Sequence, residues 1–393
     1  MNILIYSHAF APQIGGVETY ALHLARGLAA RDGGKAARVT VVTQSPRKNF
    51  NDSAMPFAIV RRPGIMQLRK LIRESNVVHL AGPVIVPLIL ALLSGKPTVV
   101  EHHGYQASCP NGLLLYQPTK TACPNHYMRN EFSACLRCNA SESGWLTSVK
   151  MLMLTPLRRW LCRRANVNLC ITNHVAERID LPRSQVVYYG IPEPVTTTIT
   201  SAQEKIAPSL LSVGFLGRLV AEKGVPTLIE AMHLLRAEND HVSLTIIGDG
   251  PQRPKLESMA REQNGFQPNI SFTGSLQGEN LNTALARIDV LVMPSANEEP
   301  AGLVVIEQMI RGCPVIVSDH GGGPELAGNG GLKFPPGDAA ALAACLRRLV
   351  DDPDLLRELG LRAKSRAETV FSLDRMIEQH YRMFQKLSSE STR

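Results

Sequence analysis

Long hydrophobic runs are scarce in this chain of 393 residues. Its most apolar stretch, residues 80–93, is interrupted by Gly82, Pro83 and Pro87 and falls short of the roughly 20 apolar residues a membrane span requires. Residues 1–10 carry no positive leader and only a five-residue apolar run, so a secretory signal is not expected. Aromatic side chains make up 5% of the chain and charged ones 19%, too few charges for a chain that stays disordered. Apolar residues, at 44%, suffice instead for a sizeable core. At about 150 residues per domain, the length predicts two to three domains. These features describe a soluble, cytoplasmic protein.

The formal net charge of +8 hides an asymmetry. Residues 1–190 hold 22 Lys and Arg against 9 Asp and Glu, a balance of +13; the remainder carries 20 against 25, a balance of −5. The basic half has no recognition helix and no interleaved aromatics, which argues against nucleic acid as a partner. An anionic lipid surface, a phosphate-bearing substrate or plain solvated helix faces each account for it.

Short apolar runs alternate with amphipathic segments along the chain. Runs at 2–6, 38–43, 57–60, 77–80, 98–100, 167–171 and 185–188 read as strands of a buried parallel sheet, whose two covered faces erase polar alternation. Residues 192–208, with three prolines and a Thr/Ser run, read as a linker. The rhythm resumes with strands at 209–215, 242–247, 269–272, 289–293 and 314–317, and helices at 224–237, 254–263, 280–288 and 302–311. Residues 338–387 read as three helices divided at Pro353 and near 371–372. The expected architecture is α/β, with two Rossmann-like doubly wound domains, 1–191 and 209–372, facing a cleft. A cysteine-rich insertion at about 105–147 interrupts the first domain, and a terminal helix, 373–393, returns to it. Ligands of such sheets bind beyond the carboxyl ends of the strands.

The sharpest chemical signals lie in the second half. Gly217, Arg218, Lys223 and Gly224 follow a strand and precede a helix. Glycines admit close approach of a ligand, and the two cations suit a diphosphate, Arg218 as a planar fork and Lys223 as a point charge. A turn with two solvated cations is the plainer alternative. Gly248, Asp249 and Gly250 end the next strand at the same sheet edge. Glu299 lies in the loop after 289–293, and Glu307 follows eight residues on, within an apolar helix. An unpaired carboxylate on such a face is costly. Two ribose hydroxyls would satisfy Glu307, while Glu299 would face a sugar. The plainer alternatives are helix capping by Glu299 and an exposed position for Glu307.

Together, GRLVAEKG (217–224), GDGP (248–251), EPAGLVVIE (299–307), GCPVIVSDHGGGPE (312–325) and FPPGD (334–338) resemble the carboxyl-terminal domain of family 4 glycosyltransferases, of the GT-B fold, over roughly residues 210–345. The resemblance implies a retaining transferase that uses a UDP- or GDP-linked sugar and no catalytic cofactor. It places Arg218 and Lys223 on the diphosphate, Glu299 on the donor sugar and Glu307 on the ribose, with Gly302 and Leu303 beside the nucleotide. Ala301 stands where that family usually has an aromatic residue. The first half matches more loosely. Gly15 and Gly16 are similar to the family's glycine loop after the first strand. His103 is similar to its strand-end histidine, which would hydrogen-bond a donor-sugar hydroxyl; His102 is the less favoured of the pair. Tyr189 replaces the usual Asn and has no assigned role.

The implied reaction is same-face transfer to a glycan or polyprenyl-diphosphate-linked acceptor in envelope polysaccharide synthesis, at the inner face of the membrane. The departing phosphate would take the acceptor proton. The only Asp-x-Asp, at 352–354, opens a tail helix and reads as a cap, so no catalytic metal is expected. A nucleotide-sugar epimerase of similar architecture and a non-catalytic, cysteine-stapled binding protein are the rival readings.

Within the insertion, Cys109, Cys123, Cys135 and Cys138 end in a Cys-x-x-Cys pair. A long loop without apolar period needs a staple. Four thiolates suit structural zinc in a reducing compartment, with iron–sulfur and disulfides as alternatives. Residues 148–165 follow, mixing Met, Leu and Trp with five basic residues. They read as a core helix with one solvated basic edge or as a helix lying on an anionic membrane.

Overall fold

Two all-parallel sheets carry the fold. The computed structural model describes residues 1–13, 15–192, 210–236, 242–261 and 269–390. By contacts the chain divides into one unit of residues 1–118, 124–192 and 371–393 and another of residues 119–123 and 193–370. From residue 193 on, the expected linker lies outside the described residues, as do residues 209, 237 and 262–263.

The first unit contains β1 (Asn2–Ser7), β2 (Arg38–Thr43), β3 (Ala58–Arg61), β4 (Val77–Leu80), β5 (Thr98–His102), β6 (Val167–Cys170) and β7 (Ser184–Val186). Their order is β3-β2-β1-β4-β5-β6-β7, every neighbouring pair parallel. All residues of β4, β5 and β6 are buried, so their apolar runs show no alternation. Helix Gly16–Ala30 follows β1 and packs against the terminal helix Leu373–Glu390. That helix buries Met376, Ile377, His380, Tyr381, Phe384 and Leu387 on one stripe. A Cβ on Gly27 would lie 1.9 Å from Ile377 Cδ1, so the glycine sets the close approach of the two helices.

The insertion is more ordered than its composition suggests. Helix Phe132–Ser143 occupies its second half and buries Cys135, Cys138 and Asn139. Gly144, at φ 78°, turns the chain into helix Trp145–Cys162, which starts three residues before the expected 148.

In the second unit β8 (Leu211–Leu216), β9 (Val242–Ile247), β10 (Ile270–Gly274), β11 (Val290–Met293), β12 (Val315–Ser318) and β13 (Gly331–Phe334) form a parallel sheet ordered β10-β9-β8-β11-β12-β13. Sequence reading overlooked β13. It is an edge strand opening on glycine, with only Phe334 fully buried, and so lacks an apolar run. Helices Ala339–Asp351, Pro353–Val370 and Leu373–Glu390 divide at Pro353 and at residues 371–372. The strand order reverses between β8 and β11, and again in the first unit between β1 and β4. Loops leaving the carboxyl ends of such strand pairs part and leave a crevice. Among the described residues, no helix is long and apolar enough to cross a membrane.

Candidate active site

In the second unit, four loops at the carboxyl end of the sheet are locked together. After β8, the Gly217 amide donates to the Ile247 carbonyl (3.0 Å) and the Leu219 amide to the Asp249 carbonyl (2.9 Å); the Gln252 amide returns to the Leu219 carbonyl (3.1 Å). Gly248 makes this zipper possible. Its φ is 142°, and a Cβ there would sit 1.9 Å from the Gly217 carbonyl oxygen. On the other side, the Ala296 amide donates to the Glu222 carbonyl (2.9 Å), and a Cβ on Gly224 would meet the Pro294 oxygen at 1.9 Å. The Gly322 amide holds the Glu299 carbonyl at 2.7 Å.

This scaffold brings a cation after β8 to an anion after β11, across the reversal point. Lys223 Nζ donates to both Glu299 oxygens at 2.8 Å, and Ser295 Oγ donates to Oε2 at 3.3 Å. The Lys223 and Glu299 side chains remain 26% and 15% exposed, accessible to a ligand yet shielded enough for charge to matter. Arg218 is 76% exposed and 3.6 Å from Glu222, so its guanidinium can swing at little cost. Gly250 faces the β8 loop, a Cβ there lying 2.5 Å from the Leu219 oxygen. Gly302 precedes the short helix Leu303–Met309 and is held close to Met293 Sδ. That helix is shorter than the expected 302–311. Its Glu307 is half-buried, and burial pushes its carboxyl pKa up against the opposing pull of Arg311. A partly dehydrated carboxylate of this kind is a ready acceptor for hydroxyl donors.

His103 lies directly beyond β5 in the first unit. Its Nδ1 is 2.7 Å from the Tyr189 hydroxyl, and the two rings stack 5.7 Å apart. Burial lowers its pKa to about 4 although Glu101 pulls the other way, so the ring is neutral at pH 7. The neighbouring His102 is fully buried and engaged with Asn168 Oδ1 at 3.0 Å, and Asn168 in turn donates to the Cys162 and Pro182 carbonyls. His102 therefore serves packing. Gly15 caps helix Gly16–Ala30 in extended geometry, and the Glu18 carboxylate folds back beside it. Sequence reading missed Tyr20, His79, Glu101 and His380, which pack around His103, and Tyr189 itself. No local pattern links residues so far apart.

All four insertion cysteines are buried. Cys109 Sγ donates to Asn111 Oδ1 (3.0 Å), the Asn111 amide points at Cys138 Sγ (3.7 Å), and the Gln117 backbone amide donates to the same sulfur (3.4 Å). Cys162, Cys170, Cys313 and Cys345 are buried in helices, strands or their edges; burial pushes the Cys162 and Cys170 thiols up to about 12. Such thiols are inert.

Helix Trp145–Cys162 departs from a core helix. Leu146, Val149, Met153, Leu157 and Trp160 share one face at exposures of 90, 42, 72, 39 and 50%. Lys150, Arg163 and Arg164 border it, the Arg164 guanidinium lying 3.5 Å over the Trp160 ring.

Comparison with known proteins matches both units. Residues 14–193 fit the family model described as Glycosyltransferase Family 4, and residues 211–352 that described as Glycosyl transferases group 1. Glycogen synthase of Mycobacterium tuberculosis is 30% identical over 238 residues, 58% of this chain and 56% of that protein. The chain thus spans little more than half the length of that relative. A Corynebacterium glutamicum protein named GDP-mannose-dependent monoacylated alpha-(1-6)-phosphatidylinositol monomannoside mannosyltransferase is 23% identical across 95% of both chains. Among solved structures, Anabaena Alr3699/HepE in complex with UDP and glucose superposes with a TM-score of 0.70 at 17% identity, covering 98% of this chain and all of that one, a likeness of fold.

Proposed function

Because the chain belongs to the glycosyltransferases of family 4 and group 1, we propose that it transfers a sugar, with retention, from a nucleotide-diphosphate sugar to a glycan or lipid-linked glycan acceptor. The observation that carries this reading is the bidentate Lys223–Glu299 pair at the strand-order reversal of the second unit.

The donor's diphosphate draws Lys223 off Glu299, and Arg218 swings in as the second cation. Freed from the lysine, Glu299 accepts hydroxyl hydrogens of the sugar, and Glu307 accepts those of the ribose. As the bond from the anomeric carbon to the diphosphate breaks, negative charge grows on the leaving oxygen beside Lys223 and Arg218. Stabilisation of such developing charge is commonly worth about 3–4 kcal/mol per donor. The acceptor hydroxyl bonds to the anomeric carbon on the face the diphosphate leaves, and a departing phosphate oxygen takes its proton. Neutral His103, steadied by Tyr189, hydrogen-bonds a sugar hydroxyl.

Two further elements of the proposal concern the first unit. The exposed stripe of helix Trp145–Cys162, with its basic border, docks on an anionic bilayer and brings the enzyme to lipid-linked acceptors. The Cys109, Cys135 and Cys138 thiols of this unit are the proposed ligands of a structural zinc; amides directed at Cys138 Sγ are typical second partners of a ligating thiolate.

Calorimetry with UDP, GDP and ADP, followed by incubation with UDP- and GDP-sugars, tests the reading. Nucleotide binding with donor hydrolysis or transfer supports it. Isomerised sugar without transfer would indicate an epimerase, and a folded chain that binds none of these nucleotides would end the proposal. Flotation with phosphatidylglycerol vesicles tests the helix, since Leu146→Ser with Met153→Ser should abolish binding without changing turnover on a soluble acceptor.

A further inference from the structure

A second group of chemically capable side chains lies in the core of the first unit, apart from the donor residues. His79 comes from β4, Glu101 from β5 and His380 from the terminal helix, and all three are fully buried. One ligand atom from each lies within 4.8 Å of the other two. We propose that His79, Glu101 and His380 bind one divalent metal ion of the zinc class, which ties the terminal helix to the sheet.

The spacing of the groups supports this. His79 Nε2 stands 2.9 Å from Glu101 Oε2, although neither His79 nitrogen makes a hydrogen bond of ordinary geometry. The Tyr20 hydroxyl also lies within hydrogen-bonding reach of Glu101. Around a tetrahedral zinc with bonds of about 2.0–2.1 Å, ligand atoms sit roughly 3.4 Å apart. The His79 Nε2–Glu101 Oε2 distance of 2.9 Å lies somewhat below that value, and all three ligand atoms fall within 4.8 Å of one another.

His380 is prepared for the role. Its Nδ1–H donates to the Met376 carbonyl at 2.8 Å, which fixes the tautomer with Nε2 unprotonated. This is the second-shell bond that ligating histidines usually make. In the present structure the Nε2 lone pair accepts from the Tyr20 hydroxyl at 2.8 Å, a bond that a metal ion would displace. Two neutral imidazoles and one carboxylate match the donor preference of zinc and its first-row neighbours.

Because the site is sealed, the test loads metal during refolding. The full chain is unfolded in denaturant with chelator, then refolded with zinc or cobalt, and bound metal and Tm are measured. Cobalt separates this site from the cysteines, since thiolate ligation adds intense near-ultraviolet charge-transfer bands and a nitrogen–oxygen set does not. The expected result is one cobalt per chain beyond any held by the insertion cysteines, with visible ligand-field bands free of thiolate character that Glu101→Gln removes, and a raised Tm. Glu101→Gln and His380→Gln should each weaken it roughly a hundredfold or more, beyond the 10–100-fold typical of second-shell losses. If His380→Gln fails to fold, the near-isosteric Glu101→Gln decides. Folded protein that takes up no metal, or whose only metal shows thiolate bands and survives Glu101→Gln, overturns the proposal. Neither outcome bears on the nucleotide-sugar reading.

Discussion

Replacing Lys223 with Met separates the two tasks its ammonium performs. In the ligand-free protein it bridges both Glu299 oxygens at 2.8 Å. At that distance, with an effective dielectric of about 20, the gross attraction is roughly 6 kcal/mol. Desolvation and lost side-chain entropy cancel most of it. Exposed pairs net about 0.2–1 kcal/mol, whereas breaking a buried pair costs about 3–5. With side chains 26% and 15% exposed, this pair falls between the limits, so Lys223→Met should destabilise the second unit by about 1–2 kcal/mol. Adding Glu299→Gln removes the stranded carboxylate, and the double variant should regain about 1 kcal/mol. Turnover should not recover with it. The lost diphosphate cation should lower sugar transfer by about 10²–10³-fold in both variants. Both tryptophans, Trp145 and Trp160, lie in the first unit, so stability is best read from amide exchange in β8 and β11. Wild-type turnover and UDP or GDP affinity in folded Lys223→Met would refute the reasoning. So would a double variant whose activity returned together with its stability.

Three further expectations are simpler. Gly248→Ala places a methyl group 1.9 Å from a backbone oxygen at φ 142°; it should cost about 2–4 kcal/mol and weaken nucleotide binding, whereas Gly278→Ala, at φ 56° with nothing within 4 Å, should cost about 1. Thermal unfolding distinguishes them, and equal losses would discount the clash. Glu307→Gln should leave stability unchanged or slightly raised, because burial already disfavours the charge, while nucleotide affinity falls about 10–100-fold. Wild-type Glu307 should itself lose affinity as the pH drops through its raised pKa, because the protonated acid accepts ribose hydroxyls poorly; calorimetry between neutral and acid pH would reveal a flat profile if the assignment is wrong. Tyr189→Phe deletes the partner of His103 Nδ1 and should cost about 1 kcal/mol of stability and several-fold in turnover, with KM for the acceptor unchanged. Loss of stability alone would make the tyrosine a packing residue.

Much of the architecture was written locally. Apolar runs such as those of β4, β5 and β11 carry their own evidence of two-sided burial, and glycines at 217, 248 and 250 mark the edge where loops must pass close to backbone. β13 escaped because an edge strand buried on one side needs no apolar run. For helix Trp145–Cys162 the sequence left core and membrane-surface placements both open, since a face turned to solvent and one turned to the core have the same residue spacing.

The sequence by itself determined the α/β class, the strand boundaries to within a few residues, and the cations, acids and glycines nominated for donor binding, because these depend on neighbours within a turn or a strand. Tertiary structure alone decided that Lys223 grips Glu299, 76 residues on, that Tyr189 rather than solvent meets His103, and that His380 reaches Tyr20 across 360 residues. Strand order and helix docking set those meetings, and neither is encoded in any local pattern. A side chain's charge state and partner follow from burial and from what the fold brings opposite it.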